Sequence, residues 1–101
     1  MLLKIPSAIY GNKVIEYAEL PMKILPLGYV FPKNGQAPLQ STDLVVIAVS
    51  VDAHDDSVYW VSCLNDQQEV ITGEMYYTVE SARNFLEAEY GVKDVKWIKV
   101  L

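Results

Sequence analysis

A chain of 101 residues is the size of one domain and leaves no room for two cores. Hydrophobic residues make up 51% and charged residues 21%, enough apolar surface for a packed interior and too much for a wholly disordered chain. A net charge of −5, with the eight basic residues scattered and Lys93, Lys96 and Lys99 the densest group, runs against nucleic-acid binding, where clustered Lys and Arg neutralise phosphates.

The acidic balance suits solubility or a basic partner protein. The longest apolar run, residues 44–49, is far shorter than the roughly 20 residues a membrane helix needs. No charged leader precedes an apolar block at the start, so no secretory signal is expected and a cytoplasmic location is the simplest reading. Cys63 stands alone, which excludes an internal disulfide and a multi-cysteine zinc site.

Residues 2–20 read as two extended segments around Gly11-Asn12, a two-residue hairpin turn with Gly11 supplying a positive φ at its first central position. The alternation around Glu16 and Glu19 is imperfect, which leaves a short helical turn as the alternative over residues 13–20. Pro21, Pro26, Pro32 and Pro38 argue against helix as far as Thr42. Within that stretch Tyr29-Val30-Phe31 reads as a short edge strand and residues 33–38 as a loop.

Residues 44–51 are β-branched and apolar on both faces, as a central strand requires. A polar turn at 52–57, a strand at 58–64, a turn at 65–68 and a strand at 69–77 continue it as a β-meander. Thr78 then caps a helix over Val79–Tyr90, with Glu80 complementing the dipole. Val79, Ala82, Leu86 and Tyr90 form its apolar stripe with Phe85 beside it, while Glu80, Arg83 and Glu87 are spaced to pair on the opposite face. Gly91 ends the helix in the left-handed conformation, Val92 is placed to pack back on it, and residues 95–101 form a last strand. The expected class is α+β: a curved, mainly antiparallel sheet of five to six strands with one helix across it.

Asp52, His54, Asp55 and Asp56 form the one cluster of metal-type ligands, but the glycine and distal glutamate of an EF-hand loop are missing. A solvated turn is the better reading, because Asp favours turns through local hydrogen bonds. Cys63 and His54 lie nine residues apart, roughly 30 Å in extended geometry, so a buried structural cysteine is expected rather than a nucleophile. Glu74 is the one carboxylate in a strand that acid–base work could use, and a surface residue is its simpler reading. No catalytic, cofactor-binding or metal residue is assigned.

The aromatics are more suggestive. Tyr59, Trp60, Tyr76 and Trp97 are the candidate ligand or interface residues, and bulky side chains fall on both faces of at least three strands. One helix covers one face, so the other needs a cover. Homodimerisation is the preferred cover, and packing by the chain's own residues 21–38 the next.

Tyr59-Trp60-Val61-Ser62, Thr72-Gly73-Glu74 and Thr78-Val79-Glu80-Ser81-Ala82, in that order, resemble the small HicB-type antitoxins, where a strand leads to a Gly-containing turn and a helix opening Thr-x-x-Glu-Ala. The resemblance covers about a quarter of the chain, lacks that family's Pro-Asp segment and has a longer Gly-to-Thr spacing, so membership is not assigned. Three functions follow as expectations. The first is a non-enzymatic, homo-oligomeric binding or interaction protein without nucleic-acid or membrane partners. The second is a toxin-neutralising protein of immunity or antitoxin type, holding a basic partner with Glu80, Glu87, Glu89 and the 52–56 turn. The third is a small-molecule binder with an aromatic pocket.

Overall fold

Residues 5–25 and 43–100 are described by the structure, a computed structural model. The first two strands, β1 (Ala8–Ile9) and β2 (Asn12–Ile24), pair antiparallel with Ile9 opposite Asn12. Their turn lies one residue earlier than expected: Tyr10 and Gly11 are its central residues, with φ of 51° and 81°. Two consecutive positive φ values are what the tight type I′ hairpin demands. Gly11 therefore takes the second central position, not the first.

β2 continues as strand through Pro21, so the helical alternative over residues 13–20 does not form. Pairing on both of its edges decides this. One edge meets β3 (Leu44–Val51), and the other is shared between β1 and a short β6 (Ile98–Lys99). The expected edge strand at 29–31, the loop at 33–38 and most of the 21–38 cover lie outside the described residues.

β3, β4 (Tyr59–Leu64) and β5 (Val70–Tyr76) form the expected meander, each antiparallel to the last, giving the order β1-β2-β3-β4-β5 with β6 also on β2. The helix α1 spans Val79–Tyr90. The Thr78 hydroxyl accepts from the Ser81 N–H at 3.0 Å. At the far end Gly91, at φ 68°, donates its N–H to the Glu87 carbonyl, and Val92 reaches the Leu86 carbonyl at 3.3 Å. These bonds satisfy carbonyls that a bare helix end would leave open.

Ala82, Phe85 and Leu86 bury the helix stripe against Ala18, Ile47, Val49, Val61 and Cys63. Deleting a side chain such as Leu86 from a core of this kind costs about 2–5 kcal/mol. After α1, among the described residues, Ile98–Lys99 pair with β2 and the Val100 N–H donates to the Ile15 carbonyl, so the strand begins later than the expected residue 95; Val95 and Trp97 instead pack against the helix-side core.

Arg83 departs from the expected helix-surface network. It reaches across to the sheet and holds Glu16 through two hydrogen bonds, 2.6 Å from Nε and 2.7 Å from Nη2, while Glu87 meets Lys93 at 3.7 Å. Glu16 is 3% exposed. A carboxylate that deep requires a partner, and the planar guanidinium fork supplies both bonds at once. The Glu16 carboxylate, through its hydrogen bonds, raises the Arg83 pKa.

The opposite face of the sheet has its own core of Ile9, Val14, Val46, Ala48 and Leu64. Its cover is thus partly the N-terminal hairpin, which contributes Ile9.

Candidate functional site

The register assigns side chains to the face opposite the helix. Val14, Ser50, Trp60 and Met75 lie opposite one another across β2, β3, β4 and β5, and Tyr17, Ala48, Ser62 and Gly73 form the next row. Side chains two residues apart on a strand share a face, so both rows line the same surface. Ala48, Ser50, Ser62 and Gly73, neighbours on this surface, are all small. Their smallness leaves a depression.

That depression is a cleft of about 510 Å3. Its floor is Ser50, Ser62 and Gly73, with Trp60 on one side, Val70 on the other, and Ile9, Tyr10 and Asn12 of the hairpin at the rim. Gly73 is held close beneath the neighbouring strand: a Cβ there would stand 3.3 Å from the Val61 carbonyl oxygen. A larger residue would crowd the ladder as well as fill the cleft.

Two hydrogen bonds brace the cleft from the 52–57 turn. Asn12 Oδ1 accepts from the Ala53 N–H at 2.9 Å, and the Trp60 indole N–H donates to Asp52 Oδ1 at 3.0 Å. The indole bond, with a second from the His54 N–H, lowers the Asp52 pKa and keeps the carboxylate charged. Asp55 is spent in the same turn, accepting from the Ser57 N–H and hydroxyl, which lower its pKa. The acidic turn is therefore a local brace for the Trp60 wall.

Two lining residues carry a buried hydroxyl with no hydrogen-bond partner among the described residues, Thr72 at Oγ1 and Ser50 at Oγ, and of the two Ser50 is fully buried. A buried hydroxyl without a partner costs stability, and native proteins keep few of them.

The four aromatic candidates do not converge. Trp60 alone lines the cleft. Tyr59 and Tyr76 lie opposite each other on the helix side and pack against the helix-side core with Trp97. Tyr76 meets Phe85 edge-on at 6.2 Å, and Phe85 meets Tyr90 at 5.7 Å. Burial, and a hydrogen bond donated to Glu74 at 2.7 Å, raise the Tyr76 pKa. Trp97 borders a separate, smaller hollow of about 260 Å3 beside Arg83 and Val95.

Cys63 points into the helix-side core, where burial pushes its thiol up to about 11; His54 sits exposed in its turn. Glu74 is exposed on β5. Among the described residues no group of three or more His, Cys, Asp and Glu could hold a metal ion, and no helix is long and apolar enough to cross a membrane.

Reading by residue type missed Ser50, Ser62 and Gly73. Their signal was present: two hydroxyls and a glycine interrupt apolar strands at positions of one facing. Only the cross-strand register brings them together. Comparison with known protein families, characterised proteins and solved structures finds no match to this chain, so the partial likeness to HicB-type antitoxins carries no assignment.

Proposed function

We propose that this protein is a non-enzymatic binding protein that holds a small molecule in the cleft on the sheet face opposite α1. The observation carrying this reading is the buried, unpartnered Ser50 hydroxyl in the floor of a 510 Å3 cleft. Volumes of roughly 300–1,000 Å3, mainly apolar with a few polar groups, are typical of small-molecule sites. A ligand group bonded to Ser50 Oγ would offset the hydroxyl's desolvation, so the free protein bears a cost that binding removes.

The absence of catalysis in this reading rests on the chemistry of the candidates. The Cys63 thiol is buried with its pKa raised, and the turn carboxylates are committed to hydrogen bonds. The test is a two-dimensional 15N–1H titration with a library of small organic molecules. Saturable shifts of the Trp60 indole and of the Ser50 and Gly73 amides are expected. A ligand whose shifts cluster elsewhere, with those three signals unmoved, would remove the cleft from consideration.

A second reading, self-association, is favoured by β5. It ends the sheet order, its outer edge is unpaired among the described residues, and Gly73, Glu74 and Met75 on it are exposed. Unpaired edges invite another strand. Light scattering over a range of concentrations tests it: a mass twice that of the chain supports pairing through β5, and a constant monomer mass excludes it.

A further inference from the structure

We infer that the cleft selects an uncharged, flat, ring-containing molecule bearing one hydrogen-bonding group, an inference that rests on the binding function proposed above. Among the described residues, none that lines the cleft carries a charged side chain; their polar groups are hydroxyls, an indole, a carboxamide and backbone. An ionised ligand group placed there would lose its water and meet no counter-charge. An anion is opposed twice, because the chain's net charge is −5 and the Asp52 carboxylate stands directly behind the Trp60 indole. A cation is drawn to the protein at long range, but the Asp52 carboxylate behind Trp60 already accepts from the indole and the His54 N–H.

Shape selects the ring. Ser50, Ser62 and Gly73 make a low floor, and Trp60 stands beside it with its orientation fixed by the Asp52 bond. A rigid aromatic wall next to a shallow floor suits another planar system, which can stack offset or edge-on with little loss of its own freedom. Ser50 then selects the substituent. A serine hydroxyl both donates and accepts, so it matches an alcohol, an amide or a ring nitrogen.

The experiment uses three probes with one ring system: 1-naphthalenemethanol, 1-naphthoate and 1-naphthylmethylammonium, which are neutral, negative and positive. Binding is read from the Trp60 indole N–H resonance, assigned against a Trp97→Phe variant. The expected result is that the alcohol binds at least about ten-fold tighter than either ion, because only the ions forfeit hydration without a partner. Ser50→Ala should weaken the alcohol by several-fold while the fold, read from the remaining spectrum, is kept.

Equal or tighter binding of an ion at Trp60 would overturn the selectivity and leave the binding function standing. An unchanged alcohol affinity in Ser50→Ala would remove the hydroxyl from the site. If none of the three probes moves the Trp60 resonance, both the selectivity and the cleft's binding role fall.

Discussion

Replacing Ser50 by alanine should make the free protein more stable, although serine-to-alanine changes in a core are ordinarily mild losses. Ser50 is 0% exposed and its Oγ has no partner among the described residues, so the folded state carries the desolvation cost of a hydroxyl, about 1–3 kcal/mol. Removing one oxygen forfeits a few dispersion contacts of about 0.1–0.2 kcal/mol each. The void is smaller than a methyl group and opens towards a cleft that exists already. The net expectation is a gain of about 1 kcal/mol, which for a domain of this size is a rise of about 5 °C in Tm. Urea denaturation gives the free energy, and an unchanged m-value would show that compactness is the same. A loss of 1 kcal/mol or more would mean that the hydroxyl is satisfied in the folded protein, and the reasoning that makes Ser50 a ligand-binding group would fail. Gain of stability with loss of binding is the pattern expected where a site is kept at some expense to the fold.

Four further outcomes follow from the same geometry. Arg83→Met should cost about 2–3 kcal/mol in urea denaturation, below the roughly 3–5 kcal/mol of a fully buried broken pair because Arg83 is 38% exposed, and Glu16→Met/Arg83→Met should recover much of it. Gly91→Val should cost about 1 kcal/mol or more; nothing lies within 4 Å of a Cβ there, so the loss comes from φ of 68° alone, and a value within error of wild type would contradict the cap. Asp52 has a folded pKa below its ordinary value, so its contribution is present above about pH 3.8 and is lost as pH falls through the lower folded value. The Trp60 indole resonance should therefore titrate below that pH, and Asp52→Ala should abolish the titration. Cys63, its thiol pushed up to about 11, should react with iodoacetamide at pH 8 on the order of 100-fold more slowly than a free thiol until urea unfolds the chain.

The meander and helix were legible because their signals are local. Apolar runs, polar turns, the Thr78 cap and Gly91 each act within a few residues, and α1 begins and ends where those residues place it. The hairpin itself was legible from Gly11, but its role as a cover was not, since a strand of two residues, Ala8–Ile9, has no period to show which face Ile9 serves. The burial of Glu16 was not legible because its partner, Arg83, is 67 residues away. The cleft was hidden for a related reason. Ser50, Ser62 and Gly73 come from three strands, and their alignment is a matter of register, which no single segment encodes. The four aromatics are divided by the alternate facing of the strands, which sends Trp60 to one side of β4 and Tyr59 to the other.

The irregularity in β2 has a mechanical meaning. Val14 pairs with Ser50 and Glu16 with the next residue back, Val49, so Ile15 is an extra residue, and positions two apart point to opposite sides. The strand is thus written in two reading frames. Before Ile15 the inward frame serves the core opposite the helix through Val14; after it, the inward frame serves the helix through Glu16 and Ala18. Deleting Ile15 would merge the frames and send one half of the strand to the wrong side, either turning Val14 out of its core or tearing Glu16 from Arg83. The same extra residue ties the two faces together: Val14, locked in the core opposite the helix, and Glu16, the carboxylate that anchors the helix, stand two residues apart, so neither can change register without the other.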